Sequence, residues 1–215
     1  MLQILFFLLV ALIHGRSLNQ FHRKCGSRDY IPEIDASLEA TVAQAIADGT
    51  AEDNFQWPIT VNVNFHVIMG GNTTDQGNVP DSWITNQIEL LNKDYSNTFV
   101  NFNLNTITRT LNETWFDEID YDNEIETAMK QELRQGDSLT LNIYTAKLSG
   151  GLLGWATFPT DLADRPWRDG VVVHFNTLPG GKLAPFNLGR TLTHEAGHWF
   201  GLWHTFQDSC SCTFH

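Results

Sequence analysis

The sequence predicts an α+β fold in which helices pack against one mixed β-sheet. Segments that alternate apolar and polar residues and are rich in β-branched side chains predict strands, and segments with helical spacing separate them. The resulting order is strand, helix, strand, helix, three strands and a final helix, which is typical of a mixed sheet. A chain of 215 residues with 14 Phe and 7 Trp can build one substantial core.

Each predicted element has its own local signal. The strand patterns cover residues 59–69, 100–111, 139–146, 152–159 and 171–175. The fourth of these is flanked by glycines and ends in Pro159, which favours a strand at the edge of the sheet. Helical spacing predicts helices over 37–47, after Pro80, over 124–135 and from about Leu188 onward.

The first part of the chain differs in character from the rest. An apolar run at residues 2–13 has the length of a signal-peptide core, so we expect a signal peptide at 1–17; a buried N-terminal helix is the alternative. Residues 18–56 concentrate basic charge and are expected to be a leader or arm, and 57–215 the globular domain. The sequons at Asn72 and Asn112 agree with export and are candidate N-glycosylation sites.

The charge of the chain excludes some partners. A net charge of -12 argues against nucleic acid and against anionic membrane surfaces. The N-terminal apolar run is too short to span a membrane, and no other run is long or apolar enough. We therefore expect a secreted, extracellular monomer with no nucleic-acid or membrane partner.

The most informative stretch is an H-E-x-x-H-x-x-G-x-x-H pattern near the end of the chain. Residues four apart share one helix face, so His194 and His198 can direct their imidazoles to one point. Gly201 can adopt a positive φ and end the helix, which brings His204 back to the same point. Glu195 lies beside this point and can reach a water molecule held there.

Three imidazoles leave one position of a tetrahedral zinc ion open, which is the arrangement of a catalytic site rather than a structural one. The pattern therefore predicts one Zn²⁺ held by His194, His198 and His204, with Glu195 as the general base. The alternative, in which these are ordinary surface histidines, requires five fixed residues to match by chance.

The chain resembles the metzincin zinc endopeptidases, and among them the pappalysin-type branch with its secreted fungal members. The resemblance rests on the zinc motif and on the stretches 64–68, 142–144, 150–159, 169–179 and 187–192. It implies a twisted five-stranded sheet with backing helices, a zinc helix at the floor of a cleft and hydrolysis of protein or peptide substrates. It also implies substrate contact along the edge strand at Gly154, Trp155 and Ala156, and allows a Ca²⁺ ion with no assigned ligands.

The chain departs from this family after the zinc helix. Metzincins carry a methionine in a tight turn beneath the metal, whereas the methionines here are Met1, Met69 and Met129, all upstream. We therefore expect a chain truncated before this turn. A catalytically impaired zinc-binding relic, or a binding protein, is the alternative to an active endopeptidase.

The three cysteines allow two interpretations. Cys25 lies beside Gly26 in the basic arm, and the resemblance suggests that its thiolate fills the open zinc position and keeps the enzyme latent. Alternatively, Cys25 forms a disulfide with Cys210 or Cys212, which are themselves too close in sequence to pair well. The resemblance suggests in turn that Cys210 pairs with a cysteine in the missing C-terminal part.

Overall fold

The structure is a computed structural model of the chain. It describes residues 24–28, 58–162 and 164–204, together with the single positions 40, 43, 44 and 47. The four single positions are helical, in agreement with the helix predicted over 37–47. The predicted signal peptide, most of the arm, and Cys210 and Cys212 lie outside the described residues.

One mixed sheet forms the centre of the described structure, and its strand order is β1-β5-β6-β4-β2-β3. Neighbouring strands are parallel except that β5 is antiparallel to β6. The predicted mixed sheet is therefore confirmed, with a short sixth strand from the arm added at its edge. The strands are β1 Lys24–Cys25, β2 Ile59–Met69, β3 Val100–Leu111, β4 Thr140–Ala146, β5 Leu152–Ala156 and β6 Val171–His174.

Helices connect and cover these strands. The α-helices that the structure describes from end to end are α1 Asp81–Asp94, α2 Glu113–Glu118, α3 Glu124–Leu133 and α4 Arg190–Trp199. Within α1, Ile84, Ile88 and Leu91 are buried. Within the described ranges, no helix has the length and apolar character needed to cross a membrane.

The core lies where the central strands meet the helices. Every residue of β4 is buried, as are the three valines of β6, because these strands have neighbours on both sides. Helix α4 packs on β5 and β6 through Leu192 and Ala196, both fully buried. The candidate metal residues of α4 are thereby held at the edge-strand end of the sheet.

A buried ionic cluster fixes β5 from the other side. Both oxygens of the Glu126 carboxylate are engaged: Oε1 accepts from Trp155 Nε1 at 2.6 Å and Lys130 Nζ at 2.9 Å, and Oε2 accepts from Arg168 Nη2 at 3.2 Å. Glu126 and Lys130 are fully buried, and Arg168 is nearly so. Burial alone would raise the pKa of Glu126, but Lys130, Trp155 and Arg168 outweigh it and lower this pKa to about 2.

Besides β1, several elements differ from the sequence expectations. Strand β5 ends at Ala156 rather than at Pro159, and two other differences have a local cause. The short helix α2 was not expected; Asn112 begins it by accepting a hydrogen bond from Trp115 N at 3.0 Å. Helix α4 begins at Arg190 rather than at Leu188, because Gly189 has a φ of 75° and lies outside the helical region.

Candidate active site

The zinc motif lies on α4 and on the turn that follows it. Gly201 has a φ of 94°, and its N–H donates to His198 O at 2.8 Å, while Leu202 N donates to Gly197 O at 2.9 Å. This is the left-handed helix end expected at Gly201. It reverses the chain within three residues, so that His204 returns to the helix face that carries His194 and His198.

The three imidazoles converge on one point. The Nε2 atom of His198 lies 3.1 Å from Nε2 of His194 and 3.1 Å from Nε2 of His204, and the latter two are 3.2 Å apart. A tetrahedral zinc ion with Zn–N bonds of about 2.0–2.1 Å separates two nitrogen ligands by about 3.3 Å. The spacing of the three nitrogens therefore fits a zinc ion with one open position.

The backbone orients one of these imidazoles. Nδ1 of His198 lies 2.6 Å from the carbonyl oxygen of Leu202. Because a carbonyl only accepts, Nδ1 must carry the proton, which leaves the lone pair of Nε2 directed at the metal position. The turn after Gly201 thus both positions His204 and sets the tautomer of His198.

Helix α4 is tied to α1 beside this site. Thr193 Oγ1 donates to Asp94 Oδ2 at 2.6 Å, and Tyr95 Oη donates to the Thr193 carbonyl at 3.2 Å. Arg190 also contacts the Asp94 carboxylate. These contacts hold the first turns of α4, and so fix where His194 projects.

Glu195 is buried, with only 1% of its surface exposed. Its Oε2 accepts a hydrogen bond from Ser27 Oγ at 3.0 Å and lies 3.5 Å from Cys25 Sγ. The edge strand passes so close that a Cβ added to Gly154 would lie 3.0 Å from Glu195 Cγ and 2.8 Å from Val172 O. Only glycine therefore fits between the carboxylate and the neighbouring strand without displacement.

The arm brings Cys25 to the metal position. Cys25 Sγ is 3.5 Å from Nε2 of His198, and it forms with His194, His198 and His204 a group whose ligand atoms all lie within 4.8 Å of one another. In a tetrahedral zinc site a thiolate lies about 3.6 Å from each nitrogen. Burial, and then the charge of Glu195, raise the pKa of the Cys25 thiol to about 11.

The arm also pairs with the edge strand. The N–H of Gly26 donates to Gly154 O at 2.8 Å, and the N–H of Ala156 donates to Ser27 Oγ at 3.0 Å. The edge of β5 that was expected to contact substrate is thus covered by the arm, which runs parallel to it. Trp155 points into the core, where Glu126 binds its indole.

Two further arm residues were missed by sequence reasoning. Ser27 contacts Glu195, as described, and Arg28 Nη1 forms an ion pair with Asp161 Oδ1 at 2.7 Å. Both directly follow Cys25 and Gly26, so the short basic stretch around the cysteine was the signal that could have pointed to them.

The remaining predicted residues lie apart from this cluster. Asn72 is exposed in the turn after β2, and Asn112 is half-buried at the start of α2. The four described members of the cluster therefore come from two distant parts of the chain, the arm and the α4 segment.

Comparison with known proteins places this chain in a family. No protein-family model matches the chain. Extracellular metalloprotease 1 of Coccidioides posadasii is 40% identical over 196 residues, which cover 90% of this chain and 68% of the relative. The chain belongs to the extracellular metalloprotease family. A second member, from Colletotrichum graminicola, is 42% identical over 156 residues, and this match spans 54% of that relative. Membership of this metalloprotease family implies a metal ion.

Solved structures show the same fold in a metalloprotease. Mature mirolysin of Tannerella forsythia, in complex with a cleaved peptide, matches with a TM-score of 0.57 and 31% identity over 71% of this chain and 68% of that one. A promirolysin mutant matches with a TM-score of 0.59 and 28% identity over 87% of this chain and 71% of that one. The pro form therefore matches more of this metalloprotease chain than the mature form does.

Proposed function

We propose that this chain is a secreted zinc endopeptidase that hydrolyses protein and peptide substrates. The observation that carries the proposal is the convergence of three Nε2 atoms, 3.1–3.2 Å apart, next to the buried carboxylate of Glu195. His194, His198 and His204 would hold the ion. A zinc ion in this position supplies a Lewis acid that polarises the scissile carbonyl and lowers the pKa of the attacking water.

Glu195 would act as the general base. Its carboxylate would take the proton of the attacking water and deliver it to the leaving amine. Its burial supports this role, because a buried carboxylate next to a cation keeps a fixed position and is little screened by solvent. Gly154 presses the edge strand against the Glu195 side chain and so limits its rotation.

Substrates would bind along β5. The backbone groups of Gly154 and Ala156 bond to the arm, which shows that an extended segment fits this edge. A peptide ligand can use the same backbone groups once the arm has left, because strand addition needs only free main-chain donors and acceptors. The related mirolysin has been solved with a cleaved peptide.

The arm would keep the enzyme latent. Cys25 lies at the fourth corner of the candidate metal site, and Ser27 binds the base, so a substrate cannot reach either group while the arm is present. The broader match to promirolysin than to mature mirolysin supports a pro-segment within residues 18–56. A signal peptide at 1–17, glycosylation at Asn72 and Asn112, and membership of the pappalysin-type branch complete the proposal.

The proposal is tested on the purified full chain. Zinc content is measured by mass spectrometry, and casein hydrolysis is followed before and after mercurial treatment, which displaces a cysteine thiolate from zinc. We expect one zinc per chain and hydrolysis that appears after treatment and disappears with phenanthroline. One bound zinc without hydrolysis of casein or of any library peptide would instead indicate a zinc-binding relic.

A further inference from the structure

Arg28 occupies a preformed cage at the end of the edge strand. Its Nη1 pairs with Asp161 Oδ1 at 2.7 Å, and its Nη2 donates to Thr160 Oγ1. The guanidinium carbon lies 5.1 Å from the centroid of the Phe158 ring and 5.9 Å from that of Trp203. One carboxylate, one hydroxyl and two aromatic rings therefore surround a single cation.

The cage is held in place by the domain rather than by the arm. Asp161 is 8% exposed, and its second oxygen, Oδ2, accepts a hydrogen bond from Phe158 N at 3.0 Å. The rings of Phe158 and Trp203 are stacked with their centroids 4.2 Å apart. The carboxylate and the aromatic wall are thus fixed by contacts that do not involve Arg28.

The cage and the metal position are reached by the same segment of the arm, which lies along the edge of β5. Cys25 lies beside the metal position, Gly26 and Ser27 bond to β5, and Arg28 is the next residue along. An extended segment advances about 3.3 Å per residue, so the cage lies roughly 10 Å from the metal position. A peptide bound to the same edge brings a side chain to this cage two or three positions from the bond that is cut.

We propose that this cage is a substrate subsite for a basic side chain, with arginine preferred over lysine. The inference rests on the proposed endopeptidase function. Release of the arm removes the partner of a nearly buried carboxylate, and a substrate cation restores that pair, whereas a neutral side chain leaves it unpaired. Arginine fits best because its planar fork reaches Asp161 and Thr160 together and stacks on the rings.

The test uses the full chain with Arg28→Ala after mercurial treatment, so that the arm is released and the cage is empty of its internal ligand. Peptides carry arginine, or the neutral isostere citrulline, at successive positions around the cleaved bond. At one position two or three residues from this bond, we expect kcat/KM to be at least tenfold higher for the arginine peptide. Adding Asp161→Asn should reduce this ratio to within about twofold, since asparagine keeps the acceptor for Phe158 N but not the charge.

Asp164→Asn is the matched control, because it removes one charge from an exposed position three residues after Asp161 and should keep the arginine preference. Thr160→Val tests the cage without changing charge and should lower the preference by roughly threefold, as expected for one lost hydrogen bond. An arginine preference that is the same in the Asp161→Asn and Asp164→Asn chains would overturn the subsite.

A binding measurement separates this inference from the proposed function. The Arg28→Ala, Glu195→Gln chain is treated with the mercurial and titrated with fluorescein-labelled arginine and citrulline peptides, and anisotropy is followed in the presence of zinc. Tighter binding of the arginine peptide without any hydrolysis by the Arg28→Ala chain would support the subsite and contradict the endopeptidase. Hydrolysis without an arginine preference in either measurement would contradict the subsite and leave the endopeptidase standing.

Discussion

The hydroxyl of Ser27 donates a 3.0 Å hydrogen bond to Oε2 of Glu195. The same hydroxyl accepts the N–H of Ala156, so one arm side chain joins the proposed base to the edge strand. A base must accept the proton of the attacking water, and the bond from Ser27 stabilises the charged carboxylate and so weakens it as a base. In the proposed mechanism, the arm would therefore oppose the reaction at the carboxylate as well as at the metal position.

Ser27→Ala should loosen the arm. A hydrogen bond to a charged group contributes about 1.5–3 kcal/mol, so we expect the arm to detach roughly tenfold more often or more. The measurement is the rate at which Cys25 is alkylated in the zinc-loaded chain, followed by peptide mass spectrometry. Ser82→Ala, on the exposed face of α1, is the control. Equal alkylation rates in the two variants would show that Ser27 does not hold the arm.

Glu195→Gln should keep the zinc and lose hydrolysis. The amide has nearly the same shape but cannot accept a proton, and general-base catalysis contributes about 10²–10⁴-fold. Zinc content and kcat are measured on the same preparation. Glu89→Gln, at an exposed position of α1, should leave both unchanged. A Glu195→Gln enzyme with wild-type turnover would remove Glu195 from the mechanism.

His204→Ala should weaken zinc binding at least a hundredfold. The variant leaves two imidazoles of the three whose Nε2 atoms lie within 3.2 Å of one another. Affinity is measured by competition with a chromogenic chelator. Glu195→Gln serves as the control, because it retains the three imidazoles. If the His204→Ala chain binds zinc as tightly as the wild type, the ion is bound elsewhere.

Gly154→Ala should destabilise the protein by about 1–3 kcal/mol and lower kcat, because the added methyl overlaps Val172 O and presses on Glu195. Gly197→Ala is the comparison within α4, where the new methyl meets its nearest neighbour, Leu202 Cδ1, at 3.6 Å. That variant should be as stable as the wild type, or slightly more so. Urea unfolding and steady-state kinetics measure both effects. Equal tolerance of the two substitutions would contradict the close approach at Gly154.

Glu126→Gln should destabilise the fold by about 3–5 kcal/mol, because it removes the buried carboxylate that pairs with both Lys130 and Arg168. The pKa of Glu126 is lowered from 4.5 to about 2, so its stabilising effect is complete above pH 4.5 and is lost as the pH falls toward 2. Urea unfolding between pH 7 and 2 should show this loss in the wild type and in Glu132→Gln, an exposed control on α3. A Glu126→Gln chain whose stability depends on pH in the same way as that of the wild type would contradict the stabilising role of Glu126.

Local patterns were enough to predict much of this structure. The strands Ile59–Met69 and Val100–Leu111 have the predicted bounds, because alternation over eleven or twelve residues is a long signal. The helix end at Gly201 was also predictable, because a glycine between two histidine positions has a specific backbone role.

Other features depend on contacts that are distant in sequence. Strand β1 has only two residues and no periodicity of its own; it forms because Lys24 and Cys25 meet β5, more than 120 residues away. The ion pair between Arg28 and Asp161 also joins residues that are distant in sequence. It could not be predicted because neither residue belongs to a recognisable motif. Helix α2 was missed because six residues are too few to show a helical period.

The pairing of β1 with β5 also bears on how the protein behaves in solution. β5 is the outermost long strand on its side of the sheet, and the arm satisfies the carbonyl of Gly154 and the N–H of Ala156 there. An uncovered strand border is a template on which other molecules can assemble. Under the proposed latency, release of the arm would uncover this border as it opens the site, so we expect the mature form to associate with itself unless a ligand covers β5.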